Sequence, residues 1–91
     1  MKGLITIKTF SYKITDPVGI HARPAGLLIK KAGEFRSEIT ITKGTKTADA
    51  KKIFSVMSLG VKQNDEVTVT ATGEDEDSAI EILQTFFNEN L

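Results

Sequence analysis

The strictest pattern in this chain is an alternation of apolar and polar residues from Glu66 to Thr72. Successive side chains of a β-strand point to opposite faces, so this period of two predicts a strand that buries Val67, Val69 and Ala71. Such a half-buried strand belongs to a sheet with one covered face, and the rest of the chain must supply the cover. The same alternation occurs at Thr9–Ile14 and Glu38–Thr42, and a weaker strand signal occurs at Lys46–Ala48.

Three segments carry the signals of helices that could cover such a sheet. The first is predicted from about Ala22 to Ala32 and the second from about Lys52 to Ser58, each followed within two residues by a glycine that ends it. The third is predicted to begin with Asp75 or Asp77 as its capping residue. The apolar positions expected to be buried are Ala25, Leu28, Ile29 and Ala32 in the first helix and Ala79, Ile80, Leu83, Phe86 and Phe87 in the last.

The order of these elements predicts an α+β fold, a two-layer sandwich of a sheet and helices gathered on one of its faces. Ninety-one residues are enough for one domain, which we expect to span residues 1–91. With no cysteine and a single histidine, the chain is expected to contain no disulfide and to bind no metal.

Charge and hydropathy narrow the classes of partner. Twelve basic and twelve acidic side chains balance, which argues against nucleic acid because that affinity depends on surplus positive charge. No stretch approaches the ~18 consecutive apolar residues of a membrane span, and the first six residues lack the apolar core of a signal peptide. We therefore expect a cytoplasmic protein without direct membrane insertion. Four lysines in the middle of the chain could guide an acidic partner protein, namely Lys43, Lys46, Lys51 and Lys52.

The only histidine of the chain, His21, lies immediately before the first predicted helix. Free backbone N–H groups and the positive end of the helix dipole favour an anion at this place. Arg23 offers a planar donor fork that matches phosphate oxygens, and Pro24 is tolerated in the first helical turn. These residues indicate a histidine that accepts and releases a phosphoryl group. The alternative from the residues alone is a surface or capping histidine.

Three segments of the chain resemble one known family. Gly19–Ala25, with the sequence GIHARPA, closely resembles the phosphorylation-site signature of HPr, the histidine-containing phosphocarrier of the bacterial sugar phosphotransferase system. Lys51–Gly60 resembles the second segment of that family, and Val67–Glu76 resembles its last strand and the entry to its last helix. The resemblance extends from about Thr9 to the C-terminus and implies an HPr-like open-faced sandwich, with an antiparallel four-stranded sheet and three helices. Residues Met1–Ile7 precede the region of resemblance, and we expect them either to lengthen the first strand or to be unstructured.

The resemblance implies a role for each residue of the signature. His21 would carry the phosphoryl group on the ring nitrogen nearer the backbone, and Arg23 would pair with its oxygens. Ala22 would allow close approach of backbone N–H groups to the phosphate, and Pro24 would support the site structurally. Gly26, where the family often has a hydroxyl residue, would allow close approach of a partner.

Three residues of the second helix would form an exposed apolar docking patch by the same resemblance: Ile53, Phe54 and Met57. Packing into the core is the alternative for each of them, and it has the most weight for Phe54. Lys52 stands where Gram-positive members carry the serine that a regulatory kinase phosphorylates with ATP, so no regulatory serine is expected. Ser55 and Ser58 lie nearby but not at the matching position.

The function implied by the resemblance is that of a phosphocarrier rather than an enzyme. The chain would accept a phosphoryl group from phosphorylated enzyme I and pass it to sugar-specific IIA domains in sugar uptake, as a monomer and without a cofactor of its own. The alternative is an HPr-like regulatory binding module that docks on regulators according to its phosphorylation state. The intact His21 and Arg23 favour the carrier, although Val18 replaces a small polar residue that commonly helps to orient the histidine. A histidine phosphatase is disfavoured because the chain has no second histidine for acid–base catalysis.

Overall fold

The computed structural model describes residues 7–91, in which strands and helices follow the predicted order. Of the segment Met1–Ile7, only Ile7 is described; it is exposed and precedes the first strand, so the expectation for the other six residues lies outside the described part. No helix between residues 7 and 91 is long and apolar enough to cross a membrane. The elements are β1 (Lys8–Lys13), α1 (Ala22–Ala32), β2 (Glu38–Lys43), β3 (Lys46–Asp49), α2 (Ile53–Ser58), β4 (Glu66–Thr72) and α3 (Glu76–Asn90).

The strands form one antiparallel sheet in the order β1-β4-β2-β3, and its register accounts for the covered face. In one row across the sheet, Phe10 of β1 lies opposite Val69 of β4. Val69 lies opposite Ile41 of β2, which in turn lies opposite Ala48 of β3. All four side chains are at most 7% exposed. The apolar positions of the four strands therefore meet on the side where the helices pack, and the predicted open-faced sandwich is confirmed.

The opposite face of the sheet carries hydroxyl side chains in the neighbouring row. Ser11 lies opposite Thr68, and their hydroxyl oxygens are 3.2 Å apart. Thr42 lies opposite Thr47, and the same distance is 3.2 Å. Because none of these side chains is buried, this face remains open.

Helix α3 covers β1 and β4 through an aromatic cluster around Phe87. The ring of Phe87 is fully buried and meets Phe10, Tyr12 and Phe86 edge-on, at centroid distances of 5.4, 5.6 and 6.2 Å. Edge-to-face geometry is favourable for aromatic pairs, in addition to the area they bury. The predicted apolar residues of α1 and α3 face the core as expected, except that two of them are only partly buried, Ile29 and Ile80.

The start of α3 differs from the predicted cap. Asp75 precedes the helix, but its side chain forms no capping bond. One carboxylate oxygen accepts the N–H of Arg36 at 2.8 Å, and the other accepts the N–H of Ser37 at 2.9 Å together with the Ser37 hydroxyl. The Gly73 N–H bonds to Glu76 Oε1 at 2.9 Å. Asp75 therefore occupies the predicted position before α3, but the predicted capping bond is absent because its side chain joins α3 to the loop before β2.

These hydrogen bonds to the ionised carboxylate, with that of the Ser37 side chain the largest cause, lower the pKa of Asp75 from 3.8 to about 2. Four other elements differ from the predicted bounds by one residue, and two of them, β2 and β3, end one residue later than predicted, at Lys43 and Asp49. β1 begins and ends one residue earlier than predicted, because the N–H of Ile14 already bonds to Asp65 in the turn before β4. Helix α2 begins at Ile53, with Lys52 in the extended position before it.

Candidate functional site

His21 is the residue that precedes α1. Its backbone is extended, with φ −101° and ψ −174°, and its carbonyl oxygen accepts the Ala25 N–H at 2.9 Å as the first hydrogen bond of the helix. Its half-buried imidazole forms no capping bond. Since Pro24 has no N–H, the donors of the first turn that have no acceptor among residues 7–91 are the backbone N–H groups of Ala22 and Arg23. The histidine therefore lies beside unsatisfied donors at the positive end of the helix.

The turn before His21 holds this residue in place through contacts with the segment after α2. Gly19 has φ +76°, and a Cβ atom there would overlap the Val61 carbonyl oxygen and lie 2.8 Å from Cα of Lys62. Only glycine fits such a close approach at a left-handed conformation. The N–H of Ile20 then donates to the Val61 carbonyl at 3.1 Å, and the Ile20 side chain is buried. These contacts fix the direction from which the chain enters α1.

Arg23 and His21 line the same open depression, of about 330 Å³, at the start of α1. Arg23 is exposed, and within residues 7–91 its guanidinium forms neither an ion pair nor a hydrogen bond. The depression could accommodate a phosphoryl group, and an unpaired guanidinium is suited to bind its oxygens. Pro24 and Leu27 complete the helix side of the wall.

Three residues of this depression were missed by the sequence analysis, Asp16, Leu27 and Asn90. Asp16 precedes His21 by five residues in a turn, a position at which Asp is read as a turn residue. Asn90 is the last residue of α3, and its amide nitrogen donates to the Phe86 carbonyl at 3.0 Å. No local signal could have placed Asn90 here, because the docking of α3 brings it to His21.

Helix α2 presents the predicted docking residues unequally. Phe54 is 85% exposed and Met57 is 39% exposed, whereas Ile53 is half-buried and packs against the core. The buried residue of this helix is Val56. Core packing was the alternative to the docking patch and had the most weight for Phe54. In the structure it applies partly to Ile53 and not to Phe54. Gly26 lies on α1 with open space around its Cα.

Of the four lysines in the middle of the chain, two are tied into the fold. Lys43 Nζ lies 3.1 Å from Asp65 Oδ2 and donates to the Gly60 carbonyl at 2.9 Å. Lys51 Nζ donates to the Phe35 carbonyl at 2.7 Å. The backbone N–H of Lys62 and the side chain of Lys43 both lower the pKa of Asp65 from its ordinary value. The positive charge that remains exposed in this cluster belongs to Lys46 and Lys52.

The residue that precedes α2 is Lys52 and not a serine. Lys52 is exposed and forms no side-chain cap. The two nearby serines have other partners, since Ser55 Oγ accepts the Asp49 N–H at 3.1 Å and Ser58 Oγ donates to the Ser55 carbonyl at 2.7 Å.

The fold and the site together define a small open-faced α+β sandwich with a single histidine at a helix N-terminus. A family model described as the PTS HPr component phosphorylation site matches residues 8–89. The phosphocarrier protein HPr of Lysinibacillus sphaericus is 45% identical over 83 residues, which cover 91% of this chain and 94% of the relative. The chain therefore belongs to the HPr family, the phosphocarrier proteins of the phosphotransferase system.

Solved structures agree with this assignment. The histidine-containing phosphocarrier protein of a mycoplasma superposes with a TM-score of 0.85 at 43% identity, over 87% of this chain and 90% of that one. Crh, the catabolite repression protein of Bacillus subtilis, superposes with a TM-score of 0.74 at 38% identity, over 88% of this chain and 92% of that one. That structure of Crh is a dimer with a swapped domain.

Proposed function

We propose that His21 accepts a phosphoryl group from phosphorylated enzyme I and passes it to the IIA domains of sugar permeases. The observation that carries this proposal is that the guanidinium of Arg23, which has no partner in the described part of the chain, and the half-buried imidazole of His21 line one open depression. In each transfer the bond from phosphorus to the donor nitrogen breaks while the bond to the acceptor nitrogen forms. The donor group leaves with its electron pair, so the step consumes neither water nor a cofactor.

The surroundings of His21 suit a carrier because they stabilise the phosphoryl group only modestly. The helix dipole and the free N–H groups of Ala22 and Arg23 favour a phosphoryl dianion by about 0.3–2 kcal/mol. A deep, closed phosphate site would retain the group, whereas an open depression admits the next acceptor. Arg23 would hold the oxygens as the group arrives and leaves.

The exposed side chains of Phe54 and Met57, with Leu27 of α1 at 45% exposure, would form the apolar part of the docking surface. Gly26 offers a place where a partner could approach the backbone of α1 closely. Ile53 would contribute mainly by supporting α2 from below. An interface that must form and dissociate at each transfer is expected to be small.

The alternative is an HPr-like regulatory module that docks on regulators according to its phosphorylation state. The likeness to Crh, a catabolite repression protein by its description, favours this second candidate. An available histidine with an unpaired arginine beside it favours the carrier. We propose the monomer as the transferring form, and the cytoplasmic location expected from the sequence stays a prediction.

The direct test is incubation of the purified chain with a bacterial enzyme I, Mg²⁺ and labelled phosphoenolpyruvate. We expect one acid-labile, alkali-stable phosphoryl group per chain, which moves to a IIA domain on addition of that protein. His21→Ala should take up no label while keeping its circular dichroism spectrum. Label on His21→Ala would overturn the assignment, and label that forms on His21 but never leaves for any IIA domain would favour the regulatory module.

A further inference from the structure

A fixed carboxylate shares the depression with His21. Asp16 is half-buried, and its Oδ1 accepts the Val18 N–H at 2.8 Å. Its own backbone N–H donates to the Leu91 carbonyl at 2.8 Å, so the turn is held from the end of α3 as well. The position of the carboxylate is thus set by two hydrogen bonds of the same residue.

Within residues 7–91, Asp16 contributes the only carboxylate side chain that lines this depression. Its Oδ2 has no hydrogen-bond partner among those residues, and neither His21 nor Arg23 forms an ion pair with it. The negative charge is therefore not neutralised inside the site. Asp16 and His21 line the same depression, so a phosphoryl group on His21 would share that depression with this charge.

We propose that Asp16 raises the phosphoryl-transfer potential of His21, an inference that rests on the proposed function. A phosphoryl group on His21 brings up to two negative charges into a depression that already contains one. The repulsion raises the free energy of the phosphorylated form, while Arg23 and the helix dipole lower it. Departure of the group to an acceptor relieves the repulsion, so Asp16 shifts each transfer equilibrium towards release.

The competing explanation is that Asp16 only holds the turn, through its bond to the Val18 N–H. Asp16→Asn separates the two roles, because the amide oxygen can still accept that bond while the charge is lost. Glu38→Gln is the matched control, since it also removes one exposed negative charge. Glu38 lies opposite Thr72, the last residue of β4. The turn with Asp16 follows the end of β1, where Lys13 lies opposite Glu66, the first residue of β4. The control charge is therefore at the far end of the sheet.

The experiment is a competition between wild-type chain, isotopically labelled, and one unlabelled variant. A catalytic amount of enzyme I exchanges the phosphoryl group between the two until equilibrium, and mass spectrometry reads the phosphorylated fraction of each. At low ionic strength we expect the equilibrium to favour Asp16→Asn over wild type about three- to tenfold, as for a carboxylate and a phosphoryl dianion that share one solvent-exposed depression. The preference should shrink in 0.5 M salt, and Glu38→Gln should show less than a twofold preference.

Two outcomes would overturn the inference, and they are distinguishable. Equal partition between Asp16→Asn and wild type at low salt, with exchange proceeding normally, would show that Asp16 is only a turn residue while leaving the carrier function intact. Failure of enzyme I to phosphorylate either chain would overturn the proposed function and this inference with it. An equal preference for Glu38→Gln would also contradict a local effect, because it would trace the shift to net charge.

Discussion

Replacement of Phe54 by alanine should weaken transfer without weakening the fold. The ring is 85% exposed in the free protein, so it contributes little to the core, and the free energy of unfolding should change by less than about 0.5 kcal/mol. Complete burial of a phenylalanine side chain is worth about 1.5–3 kcal/mol, nearly all of which is available to a partner. A partner that covers half of the ring would lose about 1 kcal/mol, or a factor of about five in affinity.

The assay is steady-state transfer from enzyme I to Phe54→Ala, with urea unfolding of the same sample. We expect KM to rise about fivefold, with kcat nearly unchanged, because the ring does not contact the phosphoryl group. Ile82→Ala is the control, since Ile82 is 40% exposed on α3, outside the depression that contains His21. An unchanged KM for both enzyme I and a IIA domain would refute the docking role of Phe54. A large decrease in the free energy of unfolding would refute the premise that the Phe54 ring contributes little to the core.

Three further predictions concern the site and the fold. Arg23→Ala should slow transfer in both directions with an unchanged urea midpoint, and Arg23→Lys should recover only part of the rate, because an ammonium cannot reproduce the bidentate geometry; wild-type rates in the alanine variant would contradict this. Incubation with an HPr kinase and ATP should add no phosphate to the chain, as measured by mass spectrometry. Lys52→Ser should raise the free energy of unfolding by about 0.3–1 kcal/mol, because it removes a cation from a helix N-terminus, and should create a substrate for the kinase. Phosphate on the unmutated chain would contradict this, because it would show that another residue serves as the regulatory serine. The pKa of Asp75 is lowered to about 2 in the folded chain, so its stabilising effect should be complete above about pH 4 and be lost as the pH falls towards 2. The urea midpoints of wild type and Asp75→Asn should therefore converge over that interval, and a constant difference down to pH 2 would contradict the assignment.

The elements that the sequence predicted well are those with strong local patterns. α1 and β4 have the predicted bounds, because the proline and glycine punctuation of one and the strict alternation of the other need no tertiary information. The residues that surround His21 in the candidate site were harder to predict from the sequence. Asn90 reaches the depression only through the packing of α3, and its sequence distance from His21 leaves no pattern to detect.

The capping bond predicted for Asp75 does not form because a contact distant in sequence replaces it. Asp75 was interpreted as a cap because a carboxylate before a helix usually bonds within its own first turn. In the structure, the carboxylate instead accepts hydrogen bonds from backbone N–H groups almost forty residues earlier. Phe54 was predicted to lie in an exposed docking patch, with core packing as the alternative; its side chain is exposed, and Val56 is the buried residue of α2.

The pairing of β1 with β4 sets the order in which this protein can be completed during synthesis. Phe10 lies opposite Val69, and the N–H groups of Thr15 and Asp16 both bond to the carbonyl of Leu91. The turn before His21 therefore cannot form all its hydrogen bonds until α3 has been synthesised, although His21 itself leaves the ribosome early. Contacts between such distant segments form late, after the entropy of a long loop has been lost. A chain that lacks α3 would thus expose the histidine without these contacts, and competence for phosphoryl transfer would report that the fold through α3 has formed.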